Sequence, residues 1–297
     1  MPLSPRGIIA AVTTPFRADG QVDYEALGHN LVAWRDSGLA GFLVLGSTGE
    51  LVTLSAEERR TALEVARAHV PRGLLLLAGA AAEATAQAIA LAREAAQLGA
   101  DAVLLVSPSY YKPMLSAEAL RRHYTAVADA APVPLFLYNV PMFTGLNLEP
   151  ALVARLAAHP NILGLKDSSG NVPQLAEILR TAPAGFLVFT GAAPALLPAL
   201  ALGAAGAILQ LACVVPELCV RLVREFDAGD LAAARRTNAR LLALHEAIGR
   251  HGIPATKAAM ELRGYRGGLP RPPLLPAAPE EVEAFRAALR AAGELPS

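Results

Sequence analysis

The sequence predicts an α/β fold, a (β/α)8 TIM barrel with a C-terminal helical extension. Three observations carry this. Eight short apolar runs recur along the first 210 residues, longer stretches of helical period separate them, and beyond the eighth run the pattern is purely helical.

The runs are GIIAAV (7–12), GFLVLG (41–46), LLLLAG (74–79), DAVLLV (101–106), PLFLYN (134–139), ILGLK (162–166), FLVFTG (186–191) and GAILQ (206–210). Each has the length of one strand. Each is nearly continuous in apolar residues, as expected for parallel strands covered on both faces. The spacers carry helix signals: LSAEERRTALEVARAHV opens with Ser55 and Glu58 in capping-box spacing, and TAQAIALAREAAQLGA ends at Gly99, a helix-terminating position. After the barrel, helices are expected at 215–227, 230–249, about 255–263 and 279–292, the last opening with Pro279 and two glutamates. The Pro-rich stretch GGLPRPPLLPAAP separates the last two. The expected organisation is a barrel over residues 1–225 and a helical extension over 226–297.

Composition narrows the function. The chain has 297 residues, is 54% hydrophobic and only 18% charged, so it can bury an extensive core. Its 26 basic and 26 acidic residues cancel, and LRRHY and AARRTNAR read as solvated helix faces, which argues against a nucleic-acid partner. No apolar run is long enough for a membrane span, and MPLSPRGIIAAVTTPF makes a poor signal peptide, so a cytoplasmic protein without a membrane partner is expected. Cys213 and Cys219 form no CxxC, and the six histidines show no HxH or HExxH spacing. No metal and no cofactor are expected.

In such barrels chemistry gathers where strands end. The polar residues there are GSTGE (46–50), SPSYYKP (107–113), YNVP (138–141), KDSS (166–169) and TGAA (190–193). Lys166 stands out, because it closes an otherwise apolar run. It either snorkels from a strand rim or is an amine withheld from water to attack a carbonyl. Period-two alternation places Lys166 on the face of Gly164 and Ile162, opposite Leu163 and Leu165, with Gly164 leaving the lysine room. By the same parity Tyr138 shares a face with Phe136, so lysine and tyrosine converge from neighbouring strands. Desolvation disfavours the charged form of an amine, which is how such a group becomes a nucleophile. Tyr138 then serves as proton shuttle, and the GSTGE loop grips a carboxylate through its amides and the hydroxyls of Ser47 and Thr48.

The ordered set TTPF (13–16), GSTGE, SPSYYKP, YNVPMFTG (138–145), GLKDSSG (164–170) and TGAAPALLPALALGAAGAI (190–208) resembles the dihydrodipicolinate synthase/N-acetylneuraminate lyase family of class I pyruvate aldolases. The resemblance runs from about residue 8 to residue 268. It implies a (β/α)8 barrel with a C-terminal helical part, a homotetramer, and a Schiff base between pyruvate and a lysine. It makes Lys166 the Schiff-base lysine, Tyr138 the relay tyrosine and Ser47 the relay hydroxyl. Ser47 and Thr48 would bind the pyruvate carboxylate. Tyr111 matches a tyrosine inserted into the neighbouring subunit's site, and Gly191 and Ile208 match positions on the site floor.

One departure from the family pattern bears on the second substrate, and another implies that the lysine-feedback site of many synthases is absent. Synthases of the family carry an arginine two residues after the proline of YNVP, and here that residue is Phe143. The two histidines of their lysine-feedback site align with Ala56 and Arg59. Lys112 is the nearest candidate to replace the missing charge. YNVPMFTGLNLEPALVARLAAHPNILGLKDSSG and IPATKAAMELRGYRGG look most like 4-hydroxy-2-oxoglutarate aldolases. The expected function is therefore a metal-independent lyase joining or cleaving pyruvate and a small aldehyde or 2-oxo acid, most like 4-hydroxy-2-oxoglutarate aldolase. The alternative is 4-hydroxy-tetrahydrodipicolinate synthase, which uses aspartate semialdehyde. A non-catalytic keto-acid-binding barrel is the reading from another class.

Overall fold

The structure, a computed structural model, describes residues 5–296. The first four residues of the stretch read as unlike a signal peptide lie outside the described residues. Among the described residues eight strands are present: β1 (Gly7–Ala11), β2 (Gly41–Val44), β3 (Leu75–Gly79), β4 (Ala102–Val106), β5 (Leu135–Asn139), β6 (Ile162–Asp167), β7 (Leu187–Thr190) and β8 (Gly206–Leu209). They pair in sequence order in a closed parallel barrel, with helices in the connections. All eight apolar runs form strands, because each is short, apolar on both faces and followed by a turn signal.

The chain divides into two compact units, one comprising Leu75–Ile208 with Met1–Arg6, the other Gly7–Leu74 with Leu209–Ser297. The first contains β3 to β7 and β8 as far as Ile208. In it Val103 pairs with Leu135, Phe136 with Gly164 and Lys166 with Phe189. The second contains β1 and β2, paired through Ile9 and Gly41. There the helix Pro216–Asp227 packs against β1 and against the helix Leu231–Ala247. Part of the C-terminal segment thus covers the first strand.

Local signals explain the helix ends. Ser55 Oγ accepts from Glu58 N–H at 3.1 Å while Glu58 Oε2 accepts from Ser55 N–H at 2.8 Å, so two otherwise unpaired amides of the helix Ala56–His69 are satisfied. Gly99, at φ 88°, ends the preceding-strand connection after the helix Thr85–Gln97. The third C-terminal helix begins at Gly252, earlier than the expected 255. Pro254 falls in its first turn, where the missing N–H costs no helical bond. Among the described residues no helix is long and apolar enough to cross a membrane.

Candidate active site

The ends of β5 and β6 place Tyr138 directly opposite Lys166, with Asn139 opposite Asp167. Tyr138 is 6% and Lys166 4% exposed, so both polar tips are withdrawn from bulk water. Lys166 Nζ lies 4.4 Å from the centre of the Tyr138 ring. Among the described residues no carboxylate forms an ion pair with it. A buried amine against an aromatic face suits addition to a carbonyl.

Strict alternation along ILGLK does not survive. The register shifts between Leu135 and Phe136, where Leu135 meets Ile162 and Phe136 already meets Gly164. Leu163 is the extra residue of this bulge and is half-buried, so Ile162 does not share a simple face with Lys166. The pairing of Tyr138 with Lys166 lies beyond the bulge and is intact.

The glycine that makes room for the lysine is also a different one. A Cβ on Gly164 would meet the Phe136 ring at 2.7 Å and collide with Leu187 O, so Gly164 accommodates Phe136 and a neighbouring strand. At Gly191 a Cβ would stand 2.9 Å from Lys166 Cε and collide with Ser168 Oγ. The Gly191 N–H donates to Asp167 O at 2.6 Å, which draws the loop after β7 onto the end of β6. Gly191 therefore sits beside the lysine. Ser168 joins it there, a residue that KDSS includes but to which spacing alone assigns no role, because it lies past the expected strand end. Ile208 is fully buried in β8.

A buried polar chain fixes the β5 and β6 ends. Asn139 Nδ2 donates to Asp167 Oδ1 at 2.6 Å and to Asn147 Oδ1 at 3.0 Å, and Asn139 Oδ1 accepts from Leu148 N–H at 3.0 Å. Asp167 Oδ2 accepts from Ser169 Oγ at 2.7 Å. Asn139 and Asp167 are almost fully buried, so these bonds satisfy groups that water cannot reach. The sequence signal was available in YN and KD, polar pairs ending apolar runs.

Tyr111 and Phe143 are not gathered into this centre: they are 65% and 62% exposed. Tyr110 stacks edge-on against Tyr111 with ring centres 5.0 Å apart. Phe143 lies in the short helix Pro141–Thr144, and the following Gly145 is the residue that Lys112 approaches, its Nζ 2.7 Å from where a Cβ would stand.

In the other unit the loop after β2 holds Ser47, half-buried, and Thr48, 8% exposed. Gly49 N–H donates to Gly46 O and Glu50 N–H to Ser47 O, each at 3.0 Å. The amides of Ser47 and Thr48 have no such backbone partner among the described residues, which leaves them available to a carboxylate. Glu50 turns inward onto Lys257, Oε1 to Nζ 2.6 Å. Burial pushes the Lys257 ammonium down to about 8, against the pull of Glu50. Sequence reading missed this pair, because Lys257 sits alone in IPATKAAM with 206 residues between it and Glu50.

With this geometry in place, the dihydrodipicolinate synthetase family model matches residues 4–292. The 4-hydroxy-tetrahydrodipicolinate synthase of Archaeoglobus fulgidus is 39% identical over 287 residues, covering 96% of this chain and 97% of that one. That of Neisseria meningitidis serogroup C is 38% identical over 292 residues, covering 98% and 99%. Among solved structures, the chloride-inhibited dihydrodipicolinate synthase of Acinetobacter baumannii complexed with pyruvate is similar at TM-score 0.92 and 35% identity, covering 98% and 99%.

Proposed function

We propose a pyruvate Schiff-base reaction for this chain, which belongs to the dihydrodipicolinate synthetase family and is a lyase. The observation that supports it best is the buried Lys166 amine against Tyr138. Lys166 Nζ adds to the ketone carbon of pyruvate, and loss of water leaves a protonated imine. That imine is an electron sink, so the methyl carbon gives a proton to the Tyr138 oxygen, whose own proton left with the water, and becomes an enamine. The enamine carbon attacks the aldehyde carbon. The new alkoxide takes a proton from Tyr138, with Ser47 as the relay hydroxyl that the family pattern assigns. Water then releases the product from Lys166. In cleavage the same steps run in reverse.

For the second substrate, the curated relatives' name supports aspartate semialdehyde, the reading of a 4-hydroxy-tetrahydrodipicolinate synthase. A second reading, 4-hydroxy-2-oxoglutarate cleavage, is favoured by Phe143, which offers no charge to an acceptor carboxylate. Exposed Tyr110, Tyr111, Met114, Met142 and Phe143 support an assembly in which a second copy covers them, the homotetramer implied by the family pattern. Light scattering at working concentration tests the assembly.

Borohydride trapping with pyruvate, followed by mapping of the modified peptide, tests the Schiff base: the adduct is expected on Lys166, and an adduct elsewhere, or none, overturns it. Initial rates with the two second substrates then separate synthase from aldolase.

A further inference from the structure

The backbone around Ser47 and Thr48 is strained at both ends. Leu45 and Glu50 adopt φ of 56° and 53°, a left-handed conformation disfavoured for residues with a side chain. Such strain persists only where the surroundings over-determine it. Glu50 supplies the restraint. Its carboxylate is buried, with Oε1 2.6 Å from Lys257 Nζ and Oε2 accepting from Arg271 N–H at 2.9 Å.

Lys257 is 1% exposed and completes its own bonding by donating to Thr14 O and Leu269 O, each at 2.7 Å. Thr14 in turn donates from Oγ1 to Gly49 O at 2.7 Å, so one segment receives the lysine and grips the loop. Phe16 lies between two cations, its ring centre 4.5 Å from Lys257 Nζ and 4.3 Å from the Arg271 guanidinium carbon. Two charges removed from water add little net stability compared with apolar side chains of equal volume. What they add is direction: an ammonium held by two carbonyls, and a carboxylate whose second oxygen is held by the Arg271 N–H, permit one placement of Glu50, and with it one shape of residues 46–50.

We infer that Lys257 and Glu50 form a positioning pair, which holds residues 46–50 so that Ser47 and Thr48 meet the carboxylate of the 2-oxo acid substrate. This rests on the proposed carboxylate-binding role of that loop. The helix Gly252–Leu262 thereby contributes to substrate affinity without touching substrate.

The test uses the full chain in two variants. Lys257→Met leaves a buried carboxylate unpaired and can fail to fold. The double variant Glu50→Gln with Lys257→Met removes both charges while keeping similar volumes. Hydrogen exchange of the Gly49 and Glu50 amides is measured without pyruvate, and borohydride trapping on Lys166 is measured against pyruvate concentration. Expected are lost protection at those two amides and a half-saturating pyruvate concentration raised about 10–100-fold, with the trapped amount at saturation as in the parent. A folded double variant with unchanged half-saturation overturns the inference, whatever its melting temperature. Unchanged protection overturns it equally. If the parent protein traps no pyruvate at all, the carboxylate reading fails by itself, and the exchange data still decide whether the pair holds the loop.

Discussion

Gly191 and Lys166 are in contact through an absence: a methyl group on Gly191 would stand 2.9 Å from Lys166 Cε. The lysine's reach toward its neighbours depends on that missing atom, since a packed interior cannot yield several tenths of an ångström without moving a side chain. Gly191→Ala is therefore expected to displace both Lys166 and Ser168. Borohydride trapping should fall by at least about tenfold, with a stability loss of about 1–3 kcal/mol from overpacking. Trapping at the parent rate would show that the lysine does not use this space.

Tyr138→Phe keeps the ring under the amine and removes only the hydroxyl. Adduct formation is expected to survive while turnover falls about 10²–10⁴-fold, the usual contribution of a positioned proton carrier. Single-turnover trapping and steady-state rates separate the two steps. Unchanged turnover would assign the proton to another group.

Asn139 bridges the ends of β5 and β6 through Asp167. Asn139→Ala leaves the buried Asp167 carboxylate one donor short and Leu148 N–H without its acceptor, a loss of about 1–3 kcal/mol. Because Tyr138 and Lys166 are the adjacent register pair, turnover should fall more than stability alone explains. Denaturant melts and rates on the same sample check this. A destabilised variant with full turnover would make the bridge purely structural.

Arg271 holds Glu58 with two bonds, of 2.6 and 2.9 Å, and these bonds hold its carboxyl down to about 2 from an ordinary 4.5. Between those values the unfolded chain binds the proton and the folded one does not, so this contribution is complete above pH 4.5 and is lost as pH falls toward 2. Glu58→Gln should therefore melt lower than the parent at neutral pH and approach it at pH 2–3. Parallel melting curves across that range would refute the assignment.

Much of this molecule is legible from its residue order. The eight strands, the capping box at Ser55 and the opposition of Tyr138 and Lys166 follow from local hydrophobicity, local hydrogen bonding and strand period, which act over a few residues. The bulge at Leu163 escapes that logic, since an inserted residue is visible only against the partner strand. So does the exchange of roles between Gly164 and Gly191: one empty Cβ looks like another until the atoms that would strike it are known. The sequence by itself determined the barrel and singled out the lysine, because burying an amine at the end of an apolar run is written in composition and spacing. Only the tertiary structure decided what steadies the site, the Asn139–Asp167 bridge and the Glu50–Lys257 pair. Partners 28 and 207 positions apart meet through chain packing, and no local pattern encodes that distance.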